Sequence, residues 1–210
     1  MTGASPRRPA LAPGGAAVRR GRDGAATRAR IEEEALRLFA GRGIDGTSVR
    51  DIAQAAGVAE GALYRHFASK EALARELFLS RYAALARQIE EIAARAPDFE
   101  GRIRAVVDHA CRLFDEAPAL FTFLLIAQHD HLAHVPDGEG NAVAALGRIM
   151  AEAEAAGVRL PQPLELAAAM ALGAVVQPAV FAVYGRLSRP LTQHAGAIAA
   201  GVLSLLAGSR

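Results

Sequence analysis

The chain has 210 residues, 24 Lys and Arg against 22 Asp and Glu, and 52% hydrophobic residues of which few are aromatic. That length holds one or two domains with a real core, and an interior of Ala, Leu and Val favours helix throughout. One cysteine rules out an internal disulfide, and the lack of a glycine-rich phosphate loop, GxSxG, CxxC or strand–helix alternation disfavours nucleotide-dependent and α/β enzymes.

The net charge of +2 conceals a gradient. Residues 1–26 carry five Arg and one Asp, residues 27–70 seven basic and six acidic groups, and residues 71–210 twelve and fifteen. The positive end therefore suits a polyanionic partner. Residues 1–26, with Pro6, Pro9, Pro13 and scattered Arg, read as a disordered basic arm without an apolar h-region, so no signal peptide is expected. Such an arm is either a passive tail or a segment that touches a minor groove.

The first helix is predicted from Thr27 to Arg42, with Ile31, Ala35, Leu38 and Phe39 as its buried stripe. Gly41 and Gly43 end it, and Asp45-Gly46 turns the chain into Thr47, which is expected to cap the second helix. Val49, Ile52, Ala53 and Ala56 share one face of that helix, and Gly57 stands where a left-handed terminus is wanted. Another helix follows over Glu60–Phe67, with Leu63 and Phe67 inward and Gly61 and Ala62 small at its start. Ser69 is placed to cap the next one.

Helix, glycine-containing turn, helix is the geometry of a DNA-reading unit. Many buried helical hairpins share the spacing, but here Arg50, Tyr64, Arg65, His66 and Lys70 are left outside the apolar set. These side chains suit phosphates and base edges, and Arg50 and Arg65 are the candidates for guanine.

The run GVAEGALYRHFASKEAL, preceded by GTSVRDIAQAAG, resembles the N-terminal operator-binding domain of TetR-family transcriptional regulators over about residues 27–80. The resemblance implies an all-α fold: a three-helix helix-turn-helix domain followed by a helical domain for effector binding and dimerisation. It implies contacts from Tyr64, His66 and Lys70 to the DNA backbone. Ala59 stands where the family often has Ser, and Glu60 places a negative charge at the start of the recognition helix. The expected DNA-contact set is Thr47, Ser48, Arg50, Ala59, Gly61, Ala62, Tyr64, Arg65, His66 and Lys70.

A longer helix from Glu71 to Pro97 would link the reader to the rest, and residues 99–116 give another. Pro118 opens a helix whose run Leu120–Ile126 is almost wholly apolar, either core or the wall of a ligand cavity. His109, Phe114, Phe123, His131 and Gln177 are the candidate effector contacts. In the cluster His129, Asp130, His131 and His134, the last three could face one metal ion at helical spacing, although histidines near a helix C-terminus are the plainer reading.

Asn141–Gly157 is predicted helical, and the stretches Leu166–Gly185 and Leu191–Gly208 contain no charge. The first is long enough for a membrane span, but Gln177-Pro178 and its Ala and Gly content argue against one. Two uncharged helices need more cover than one small domain provides, and a second subunit is the economical solution.

The expected organisation is therefore an arm at 1–26, a helix-turn-helix domain at 27–72 and an effector and dimerisation domain at 73–210. The expected function is a cytoplasmic, homodimeric regulator, by resemblance a repressor released from a pseudo-palindromic duplex operator by a small molecule. No enzymatic activity, cofactor or metal is expected. The competing readings are a constitutive DNA-binding scaffold with a filled core and an all-helical metal-dependent enzyme.

Overall fold

The computed structural model describes residues 14–136 and 140–207, with side chains from Gly24 onward. Among the described residues there are nine α-helices and two short 3-10 segments. Helix α1 spans Gly14–Arg42, α2 Val49–Ala55, α3 Glu60–His66 and α4 Lys70–Arg95. Then come α5 at Phe99–Glu116, α6 at Pro118–His131, α7 at Ala142–Ala155, α8 at Leu164–Val183 and α9 at Ala195–Leu206.

The first helix begins at Gly14 and not at Thr27, so the predicted arm is helical from residue 14. Ala16, Ala17, Arg19, Arg20, Ala25 and Ala26 are strong helix formers that extend a helix already nucleated by its buried C-terminal half. The rest of the expected basic arm, residues 1–13, lies outside the described residues.

Local chemistry sets the other boundaries. Ser48 caps α2, where Thr47 was expected to: the Ser48 side chain accepts from the Asp51 amide, and Asp51 reaches back to the Ser48 amide at 2.9 Å. Thr47 is instead buried, and its Oγ1 donates to the Gly43 carbonyl at 2.8 Å. Gly57, at φ 64°, ends α2 as the sequence suggests. Gly46 is required for a different reason, since a Cβ there would lie 2.2 Å from the Arg42 carbonyl oxygen. Ser69 caps α4 by accepting from the Ala72 amide.

Ile31, Ala35, Ile52, Leu63, Phe67 and Leu73 bury together as the core of the N-terminal three-helix unit. This core runs without interruption into that of the larger helical body. The stacked rings of Phe39 on α1 and Phe123 on α6, 6.0 Å apart, join the two. Helix α4 belongs to both halves, with Leu73, Leu77 and Phe78 near one end and Ala86, Ile89 and Ala93 toward the other, all buried. Helices α8 and α9 pack on each other and on α5. The α9 entry is pinned by Asp115, whose carboxylate accepts from the amides of Leu191 and Thr192 at 2.8 and 2.9 Å.

Helix α8 is the one described helix long and apolar enough to cross a membrane. Its outward side carries Leu166, Gln177 and Phe181, with Tyr184 exposed just past its end.

Candidate nucleic-acid interface and effector cavity

Helix α3 has two sides. Leu63 is fully buried and Phe67 nearly so, while Tyr64 is 54% exposed and Glu60, Gly61 and Arg65 stand in solvent beside it. No side chain caps its N-terminus, which begins at Ala59. The free amides there remain available to an anion, although the Glu60 carboxylate stands among them. Ser48 and Arg50 are exposed on α2, and Ala62 and His66 are half-buried. His66 packs obliquely on Phe67, with ring centroids 6.4 Å apart.

Two members of the expected contact set have other work. Thr47 is 1% exposed, its hydroxyl turned to the Gly43 carbonyl. The Lys70 ammonium donates to the Ile44 carbonyl at 2.8 Å and lies 3.8 Å from Glu71, so it ties the α1–α2 loop to the start of α4. Sequence reading missed Arg28, whose guanidinium lies 4.4 Å over the Phe67 ring and bonds Glu32 and Glu76. That contact holds α1, α3 and α4 together from the side. Its separation of 48 residues from Glu76 left no local signal.

In the helical body, a cavity of about 190 Å³ lies between α4, α5, α6, α7 and α8. Its wall includes Tyr82, Ile103, Val107, Leu124, Leu146 and Val175, and it contains no Asp, Glu, Lys or Arg. Of the five expected effector contacts, only His109 lines it. Phe123 is taken up by Phe39, and Phe114 is buried edge-on against Phe121 with Arg189 over its ring. His131 packs on Phe78, 5.5 Å between ring centroids, and Gln177 is exposed on the outer side of α8. Helix α6 is apolar on every side, so its sequence does not say which face meets α1 and which the cavity.

The histidine cluster does not assemble. Helix α6 stops at His131, and Leu132–His134 wind into a 3-10 turn, which breaks the i, i+4 geometry that metal binding by Asp130 and His134 assumed. Among the described residues no three His, Cys, Asp or Glu side chains converge on one point. Cys111 is fully buried, and burial pushes its thiol up to about 11, so a thiolate nucleophile is not available near neutral pH.

An N-terminal three-helix unit whose third helix, α3, turns a polar face to solvent has the arrangement of a helix-turn-helix reader, carried here on a helical body with an apolar cavity. Residues 31–77 match the pattern of bacterial regulatory proteins of the tetR family. It is 38% identical over 88 residues to the transcriptional repressor KstR2 of Rhodococcus jostii strain RHA1, a match that covers 42% of this chain and spans 43% of that repressor. Among solved structures, the TetR-family regulator PfmR of Thermus thermophilus superposes with a TM-score of 0.64 at 26% identity, covering 83% of this chain and 97% of that one. The regulator FadR of Bacillus subtilis, solved in complex with stearoyl-CoA, superposes with a TM-score of 0.70 over 84% of this chain and 98% of its own. At 20% identity that likeness speaks for the fold alone.

Proposed function

We propose that this chain is a homodimeric transcriptional repressor that binds a two-fold operator and releases it when a small molecule enters the cavity. It acts by binding and not by catalysis. The observation that carries this reading is the pairing of an exposed α3 face with an apolar cavity in one continuous core. The stack of Phe39 on Phe123 and the shared helix α4 connect them. A ligand that moves α6 or α4 moves the reader with it, a rigid-body shift of the kind that alters the spacing between paired reading heads. An energy difference of about 1–3 kcal/mol between the two states is enough for regulation. The cavity disfavours a filled-core scaffold, and the dispersed histidines disfavour a metal enzyme. A cytoplasmic location follows from this function.

In this reading Tyr64, His66 and the amides at the start of α3 and α4 meet phosphates, while Arg50 and Arg65 reach base edges. The exposed apolar side of α8 and the small residues Gly196, Ala200, Gly201 and Ser204 on the open side of α9 form the subunit interface. Selection of bound fragments from the organism's own genome, followed by gel-shift titration, tests the DNA half. Tyr64→Ala should weaken binding to every sequence, and Arg50→Ala should cost about 1–3 kcal/mol of discrimination at one base pair. If both variants bind as the parent does, the contact surface lies elsewhere.

A further inference from the structure

The wall of the cavity brings together three polar side chains with different fates. The Tyr82 hydroxyl faces the Val143 backbone, and Gln128 stands at the rim of α6. His109 Nε2 is buried and has no hydrogen-bond partner. A buried polar atom left unmatched is costly, and a turn of the ring toward the cavity that His109 lines would let a ligand's polar group satisfy it.

His109 and Leu113 also line a polar recess next to the cavity, shared with Gln88, Arg112, Glu116 and Ala117. Its lining carries one cation, Arg112, and one carboxylate, Glu116, and Arg112 is already paired with Asp108 at 2.8 Å. An anionic head group placed here would meet the Glu116 carboxylate and a guanidinium already paired, and an anion in the cavity itself would meet no Lys or Arg.

We propose that the effector is an uncharged amphiphile, its apolar body filling the cavity and one neutral head group, such as a hydroxyl, ketone, ester or amide, hydrogen-bonding to His109 Nε2. This rests on the cavity being the effector site. Burial lowers the pKa of His109, so the imidazole is neutral near pH 7 and can donate or accept at that nitrogen according to tautomer. One anchor in an apolar wall selects for the presence of a polar group and against charge, and it leaves the shape of the apolar body to the cavity.

Calorimetric titration of the purified full-length protein with 1-decanol and with decanoate at pH 7.5 tests the inference. The alcohol should bind about tenfold or more tightly than the carboxylate, and His109→Leu should weaken the alcohol about tenfold, the factor one neutral hydrogen bond is worth. His109→Gln, which restores a polar group, should recover most of that loss. A merely structural role for His109 predicts no such rescue. Decanoate binding as well as or better than decanol overturns the inference while the cavity remains the effector site, and so does an unchanged affinity in a folded His109→Leu. If neither probe binds the parent protein, the cavity reading falls and this inference with it. Operator binding measured on the same sample is unaffected by that result and judges the DNA half separately.

Discussion

At the scale of single residues, the reader is held in shape by side chains that look like contact residues. Thr47 and Lys70 each satisfy a backbone carbonyl of the α1–α2 loop, Gly43 and Ile44 respectively. Removing a hydrogen bond of this kind leaves an acceptor short of its partner and costs about 1–2 kcal/mol. Thr47→Val and Lys70→Ala should both lower the unfolding midpoint by that free energy in a denaturant titration. Thr47→Val should leave DNA affinity intact under conditions where the protein is fully folded. Tyr64→Ala should do the reverse, because Tyr64 is more than half exposed and its loss removes little packing. The sequence shows which residues are polar near a turn. It does not show whether a polar side chain turns outward to a duplex or inward to a carbonyl four or twenty-six residues away.

At the scale of elements, the joints between helices matter more than the helices. Burial works against the charged form of Asp115. The amides of Leu191 and Thr192, the Thr192 hydroxyl and nearby Arg189 outweigh it and hold the carboxyl below its ordinary range. A carboxylate with a depressed folded-state pKa contributes its stability above the unfolded value of about 3.9, and loses it as pH falls from there through the folded value. Asp115→Asn should therefore flatten the acid limb of the stability curve and detach the start of α9, a loss of about 1–3 kcal/mol near pH 7 in thermal or chemical unfolding. The stack of Phe39 on Phe123 is the corresponding joint between reader and body. Neither pairing was legible in the sequence, since Asp115 looks like an ordinary acid near a helix end and Phe123 like any residue of an all-apolar helix. Helices α5 and α7 were legible, because each has an apolar stripe and a good cap: Asp98 accepts from Gly101, and Asn141 accepts from Val143 and Ala144.

At the scale of the whole molecule, the most conspicuous feature is what α8 leaves uncovered. Only 28% of its most apolar window is buried, and Phe181 and Tyr184 are 50% and 75% exposed. Helix α9 turns small residues and Leu205 outward beside it. A patch of this kind marks an interaction surface, and the proposed function assigns it to a second copy of the chain. Phe181→Glu combined with Leu205→Glu should raise the dimer dissociation constant about 100-fold or more in sedimentation equilibrium, as expected for two anchors near the interface centre. Operator affinity should fall with it, while the far-ultraviolet helical signal stays the same. A dimer of unchanged strength would move the interface away from α8 and α9.

The all-helical class, the helix-turn-helix and the uncharged C-terminal pair are legible in the chain before any packing is known. These are written in local spacing: apolar residues at helical intervals, a capping hydroxyl at Ser69, a left-handed glycine at Gly57, and long runs without charge. Packing alone fixes that Thr47 and Lys70 brace the reader and that four of five candidate effector contacts lie away from the cavity. Those outcomes depend on which faces of nearly uniform helices meet, and on contacts between residues far apart in the chain. Helical periodicity records that a face is apolar, but not which neighbour covers it.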